Sequence, residues 1–245
     1  MSEFAQIESA RLQSLTLKPL PNNPMIELQG LVYQYPNQST PVVDIDLLTI
    51  NPGEQIVLTG QSGSGKSTLL HLIAGLMDPS SGTVSIKGTS IHSLRGSKRD
   101  HFRGRHIGMV FQTFQLLHGF TVIENILAAL MFSDLPRKEH RNRATALLET
   151  LGVNIPNARI SDLSVGQQQR VAVARAIACT PAVVLADEPT AALDPEYASI
   201  AMDLLQEGCR AIDAALICVT HDSSLISRFD RHERLEDLCS VGGAV

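Results

Sequence analysis

Two periods alternate along this chain. The run Gln55-Ile56-Val57-Leu58-Thr59 is short and apolar, as in a strand buried on both faces, and Leu69, Ile73 and Leu76 then recur at i, i+4 and i+7, the period of a helix with one buried face. Residues 25–33 and 42–50 also predict strands, the second with Asp44 and Asp46 alternating against Val43, Ile45 and Leu47. A further strand is expected at 83–88, a short helix within the polar stretch 89–105, and a buried strand at 106–111. From Thr121 the pattern turns helical. Thr121-Val122-Ile123-Glu124 is a capping box ahead of an apolar run through Leu130, and a second helix is expected from about Arg137 to Leu151, stopped by Gly152. Next come a helix near 166–179, a strand at 182–187 and a helix opened by Asp194 and Pro195, whose buried face continues through Tyr197, Ile200, Ala201, Leu204 and Leu205. A last buried strand covers 215–220, while 229–245 gives no clean pattern. Strands alternating with helices predict an α/β fold with a largely parallel sheet.

Composition narrows this only slightly. At 245 residues the chain can bury one large core, or a core with a smaller lobe, and 44% hydrophobic with 18% charged residues is ordinary for a globular protein. The net charge of −5 argues against a nucleic-acid partner, and the local basic group Arg95, Lys98, Arg99, Arg103 and Arg105 reads as a solvated loop face. The four cysteines, Cys179, Cys209, Cys218 and Cys239, show no metal-binding spacing; Cys179 and Cys218 lie in apolar runs and are expected as reduced core residues of a cytosolic protein. No apolar run approaches the length that spans a bilayer, so any membrane part must come from another chain.

The chemistry begins at Gly60-Gln61-Ser62-Gly63-Ser64-Gly65-Lys66-Ser67-Thr68, which fits G-x-x-x-x-G-K-[ST] between a predicted strand and a predicted helix. Its glycines let successive backbone N–H groups turn inward as an anion nest, and the following helix adds its positive end. Lys66 is expected on the β- and γ-phosphates of a nucleoside triphosphate and the Ser67 hydroxyl on Mg²⁺. Downstream, Asp187 ends a buried strand, placed to hold Mg²⁺ opposite Ser67, and Glu188 beside it is placed to activate a water.

Leu163-Ser164-Val165-Gly166-Gln167, followed by Gln168-Gln169-Arg170, resembles the signature of ATP-binding cassette (ABC) proteins, usually LSGGQ. With Gln112, Asp187-Glu188, Ala192-Leu193-Asp194 and His221 in the expected order, the resemblance covers about residues 25–235. It implies a P-loop nucleoside triphosphatase with a mainly parallel core sheet, an antiparallel β subdomain and a small helical subdomain at about 113–165, with 1–24 a mobile extension to a domain spanning 25–245.

The resemblance also implies roles. The nine loop residues Gly60, Gln61, Ser62, Gly63, Ser64, Gly65, Lys66, Ser67 and Thr68 bind the nucleotide; Tyr35, with Tyr33 as its rival, matches the aromatic that stacks on adenine. Ser67, Asp187 and Gln112 match the Mg²⁺ ligands, Glu188 the general base, Gln112 the residue near the attacking water, and His221 the γ-phosphate contact. Two copies are expected head to tail, with Ser164, Gly166 and Gln167 of one closing over ATP on the phosphate loop of the other, and Asp194 communicating between the sites. Val165 stands where the family has glycine, a β-branched side chain at the closing interface.

The stretch from Phe102 to Gln112, with Phe114-Gln115-Leu116-Leu117 and Thr121-Val122-Ile123-Glu124-Asn125, is most similar to ATPases of the lipoprotein-releasing and macrolide-export group. That implies an ATPase at the cytoplasmic face of the inner membrane, held there by an integral membrane permease subunit and driving export, lipoprotein release or mechanotransmission. The alternatives are an amino-acid-type importer ATPase and, less favoured by the uninterrupted cassette, a soluble ABC ATPase.

Overall fold

The computed structural model describes residues 23–239. The expected extension at 1–24 therefore lies almost wholly outside the described residues.

Five strands form one all-parallel sheet in the order β6-β7-β8-β3-β9: β3 (Gln55–Thr59), β6 (Ile107–Val110), β7 (Val183–Asp187), β8 (Ala215–Val219) and β9 (Arg231–Arg234). Its central strands are apolar on both faces because both are covered. Successive side chains separate cleanly: Val57, Val184, Ala186, Leu216 and Cys218 enter one core, while Ile56, Leu58, Val183, Leu185, Ile217 and Val219 enter another. The second core is closed by an antiparallel sheet, β2-β1-β4-β5, from β1 (Ile26–Tyr33), β2 (Val43–Ile50), β4 (Ser81–Ile86) and β5 (Thr89–Ser90). Between the sheets runs α1 (Lys66–Ile73), and beyond β5 lies α2 (Ser97–His106).

The first core is covered by α3 (Val122–Leu130), α4 (Arg137–Thr150), α5 (Val165–Ile177) and α6 (Pro195–Arg210). Thr121 makes the expected capping box with Glu124. The segment 113–165 contains α3, α4 and a single 3-10 turn at Ile160–Asp162 joined by loops, and its Ile126, Leu148 and Ile160 share one apolar cluster with Val184 and Leu216 of the sheet.

The structure corrects several expectations. Helix α1 ends at Ile73, the N–H of Leu76 returning to the His71 carbonyl, so Leu76 leaves the helix and stands exposed. Leu69, Leu70, Leu72 and Ile73 are all buried because α1 is wrapped by both sheets, so it has no single apolar stripe. On α6, Ala201 and Leu205 are buried, but Tyr197 and Ile200 are 56% and 46% exposed. Asp194 occupies the N-cap of α6 without a side-chain capping bond. The basic group is no bare loop face: Arg99 pairs with Asp78 at 2.8 Å, Arg103 with Asp100 at 2.8 Å and Arg105 with Asp134, all but Asp78 and Asp134 lying on α2. Cys209 and Cys218 are buried and Cys179 partly so; all four cysteines are free thiols, burial pushing Cys209 up to about 12 and Cys179 to about 11. The unpatterned C-terminal stretch supplies the edge strand β9 and a short helix, α7 (Leu235–Leu238).

Candidate active site

The parallel strands β3, β7 and β8 end on one side of the sheet, where loops from different strands converge. There the turn from β3 into α1 forms a cavity of about 370 Å³ lined by Ser62, Gly63, Gly65, Lys66, Ser67 and Thr68. Tyr35 and Val42 wall one side, and Asp187, Glu188 and His221 line it as well. Six of the nine predicted loop residues thus face the cavity. Gly60, Gln61 and Ser64 are not among its lining residues.

The loop geometry is set locally. Gly65 is the residue before α1, with φ of 99°, and a Cβ there would lie 2.5 Å from Val42 Cγ1 and 2.8 Å from its carbonyl oxygen. Only glycine meets both demands, and the chain can then pass so close to β2 that the first turn of α1 opens onto the cavity. Lys66 Nζ folds inward and donates to the carbonyls of Gly60 and Gln61, each at 2.8 Å. At 9% exposure it is a nearly buried cation held by two neutral carbonyls, with no carboxylate in ion-pair distance among the described residues.

The two tyrosines separate. Tyr33 packs against the core of the antiparallel sheet, whereas Tyr35 lines the cavity and shares a hydrogen bond of 3.0 Å with the Thr68 hydroxyl. Their rings meet edge to face at 5.0 Å, so Tyr33 buttresses Tyr35 from behind.

Opposite the loop, Glu188 follows β7 with φ of 47°, a left-handed conformation that is costly for a non-glycine residue. Its N–H to the Val219 carbonyl, 2.9 Å, fixes it there. The carboxylate accepts from the Thr220 hydroxyl at 3.2 Å and the His221 N–H at 3.4 Å, and lies 2.7 Å from His221 Nδ1. The Glu188 side chain is 15% exposed and that of His221 70%, so the acid is sheltered and the imidazole open to the cavity. Gln112 follows β6, beside the strand that carries Asp187, but does not line the cavity. Among the described residues no group of three or more His, Cys, Asp or Glu side chains could hold a metal by itself. Ser67 and Asp187 nonetheless both line the cavity, and a hydroxyl with one carboxylate suits Mg²⁺, which typically keeps water and phosphate oxygens as its remaining ligands.

Ser164, Gly166 and Gln167 sit elsewhere. They line a separate groove of about 310 Å³ with Tyr197, Ile200 and Leu204, and none of them reaches the phosphate loop of its own chain. Ser164 and Gln167 form a second capping box at the start of α5. A larger cavity, about 810 Å³, opens beside Ala182 and Asp213, at the opposite ends of the strands, and holds none of the predicted site residues.

Val42, His232 and Glu236 escaped the sequence reading. His232 meets the Thr59 hydroxyl at 2.7 Å and Glu236 accepts from the Gln61 N–H at 2.8 Å, both behind the loop. Neither lies in a recognisable motif: His232 sits on the polar strand β9 and Glu236 on the short helix α7.

A family model described as ABC transporter matches residues 44–191. The chain is 42% identical over 186 residues to the lipoprotein-releasing system ATP-binding protein LolD of Psychrobacter arcticus, covering 75% of this chain and 82% of that one. It is 41% identical over 208 residues to the LolD of Pseudomonas syringae pv. tomato, covering 84% and 92%. Among solved structures it resembles the dimeric ATP-binding cassette MJ0796 in a post-hydrolysis state bound to ADP and Pi, with TM-score 0.76 and 33% identity over 86% of this chain and 94% of that one.

Proposed function

This chain belongs to the ABC transporter family as an ATP-hydrolysing subunit, and on that premise we propose that it powers a separate membrane subunit of the lipoprotein-releasing kind. The observation that carries this reading is the single cavity into which Tyr35, Lys66, Ser67, Asp187, Glu188 and His221 converge.

On this reading the inward N–H groups of the loop take the phosphates and Lys66 exchanges the carbonyls of Gly60 and Gln61 for phosphate oxygens. Tyr35 stacks on the base from the side buttressed by Tyr33. Ser67 and Asp187 would hold Mg²⁺, with Gln112 joining them only by moving in from outside the cavity lining, and the ion would neutralise charge on the phosphates. Glu188 takes the proton of the attacking water, its strained backbone keeping the carboxylate at the cavity wall. His221, bonded to that carboxylate and exposed, swings onto the γ-phosphate.

The separation of the signature groove from the phosphate loop supports a head-to-tail pair of copies, each supplying Ser164, Gly166 and Gln167 to the other's nucleotide. A surface groove lined by Leu76, Phe111 and Phe132, with Leu76 and Phe132 exposed, suits an apolar segment of an integral membrane permease. We place the chain at the cytoplasmic face of the inner membrane through that partner, with no nucleic-acid role; among the described residues no helix is long and apolar enough to cross a membrane by itself.

Glu188→Gln tests the reading. ATP turnover should fall by about 10²–10⁴-fold, as for loss of a general base, while ATP drives the protein into a stable dimer seen by light scattering. Unchanged turnover, or a protein that stays monomeric with ATP, would overturn it.

A further inference from the structure

The C-terminal stretch 231–238 had no assignable pattern, yet it docks against the back of the phosphate loop. Strand β9 runs parallel to β3, with Arg234 opposite Thr59, the last residue before the loop. Arg231 fastens the start of β9 through the Thr49 carbonyl at 2.8 Å and the Glu54 carboxylate at 2.8 Å. Leu235, 1% exposed, then anchors α7 in the second core. Glu236 is thereby carried to the loop, where one carboxylate oxygen accepts from the Gln61 N–H at 2.8 Å.

That N–H belongs to the same peptide unit as the Gly60 carbonyl. The chain has no cis peptide among the described residues, so the two groups point in opposite directions. On the far side the carbonyl receives Lys66 Nζ at 2.8 Å. Carboxylate, peptide and ammonium thus form one aligned chain, in which the acid polarises the peptide and deepens the carbonyl's hold on the lysine. The other Glu236 oxygen, Oε2, is shut off from solvent and has no hydrogen-bond partner among the described residues, and the same is true of the Ser64 hydroxyl nearby. A Cβ on Gly60 would meet both, at 2.8 Å from Ser64 Oγ and 3.3 Å from Glu236 Oε2. The Gln61 N–H, with Arg234 and Lys66 behind it, holds the Glu236 carboxyl below the usual range, so the group is anionic at neutral pH.

We propose that Glu236 is a positioning residue that restrains the phosphate loop: through the Gly60–Gln61 peptide it keeps Lys66 parked inward and thereby weakens nucleotide binding. Lys66 must leave that carbonyl to meet a phosphate, and an adjacent carboxylate opposes both its departure and the arrival of the anion. The C-terminal segment is in this way a built-in brake on affinity, favouring release of product. The inference rests on the reading of the cavity as the nucleotide site.

The test is ADP titration calorimetry on the full chain, comparing wild type, Glu236→Ala and Glu236→Gln, with a thermal melt of each and Lys66→Ala as the control for the site. Glu236→Ala should bind ADP about three- to tenfold more tightly, the size of one charge-assisted hydrogen bond. Glu236→Gln keeps an acceptor for the Gln61 N–H but loses the charge, so it should fall between. In ATP turnover KM should drop by a similar factor without a rise in kcat. A purely structural strut gives the opposite sign, with weaker binding and a lower melting temperature, and that result overturns the proposal, as does unchanged affinity. Should Glu236→Ala not fold, Glu236→Gln decides: affinity within about twofold of wild type overturns it, since loss of a full charge acts on the phosphates directly. Wild type that binds no ADP would instead overturn the nucleotide site itself.

Discussion

Helices α3 and α5 begin with the same device and put it to different ends. Thr121 Oγ1 accepts the Glu124 N–H at 3.4 Å and Glu124 returns to the Thr121 N–H at 2.7 Å; Ser164 Oγ accepts the Gln167 N–H at 3.3 Å and Gln167 returns to the Ser164 N–H at 3.0 Å. The contrast lies in the two amides that no capping box satisfies. In α3 they are consumed, Val122 donating to the Ala158 carbonyl at 3.0 Å and Ile123 to the Pro156 carbonyl at 2.8 Å, and both residues are buried. In α5 the N–H groups of Val165 and Gly166 meet no acceptor among the described residues, Val165 is 48% exposed, and nothing lies within 4 Å of where a Gly166 Cβ would be. One helix start is sealed by its own chain. The other keeps its positive end uncovered, which suits the proposed interface to another copy's phosphates.

The largest effect that sharpens this contrast is expected from Gly166→Asp. An acid in the first turn suits the helix dipole, and the space above Gly166 is open, so the variant should fold and melt like wild type. The same carboxylate would face the partner's phosphates. ATP-driven dimerisation should be lost and turnover should fall by about 10²-fold or more, the scale of removing one preorganised anion-stabilising group. Normal dimerisation by light scattering would mean that α5 does not close over nucleotide.

On the sealed side the expected effect is on stability. Asn125, fully buried, accepts the Leu117 N–H at 2.8 Å and donates to the Leu117 and Thr121 carbonyls at 3.3 and 3.0 Å. Asn125→Ala removes three part-buried hydrogen bonds and should cost about 1–3 kcal/mol in a denaturant melt. ADP affinity of the folded protein should be unchanged, because no residue of α3 lines the nucleotide cavity. The paired substitutions Thr121→Ala and Ser164→Ala should each cost about 1 kcal/mol as lost caps, but only the second should weaken dimerisation with ATP. Equal effects on dimerisation would erase the distinction between the two helix starts.

This distinction was half legible in the sequence. The Thr121–Glu124 capping box, the buried strands at 55–59 and 182–187 and the glycine loop are local patterns, and each emerged close to where it was expected, whereas the Ser164–Gln167 box reads in the sequence only as a family signature. Spacing alone brings out an apolar stripe but not what covers it. Tyr197 and Ile200 fit the period of a buried face and lie exposed, because hydrophobic periodicity marks surfaces that pack against anything, a second chain included. Leu76 fails for the related reason that a helix end is set by backbone bonds three to five residues back. Strand β9, Arg-His-Glu-Arg, carries no hydrophobic signal at all: it is an edge strand, held by main-chain pairing to β3 and by the Arg231 ion pairs. The placement of Glu236 behind the loop follows from that tertiary pairing and had no signature to read.

Val165 gives the smallest and most discriminating effect. It opens α5 between Ser164 and Gly166, and with Tyr197 and Ile200, which line the groove beside it, it leaves an apolar surface exposed around the signature. A β-branched residue here has two possible consequences at a closing interface. It can obstruct approach of the partner's backbone, or it can add apolar area to the contact. The open surroundings of Gly166 and the neighbouring exposed Tyr197 and Ile200 favour the second, since a side chain already flanked by apolar groups extends a patch that closure would cover. Half-burying a valine corresponds to about 1 kcal/mol, so Val165→Gly should raise the protein concentration needed for ATP-driven dimerisation by about three- to tenfold while leaving ADP binding to the monomer untouched. Tighter dimerisation of the glycine variant would show instead that the valine props the interface open, and the two helix starts would then differ by one obstructing side chain as well as by two free amides.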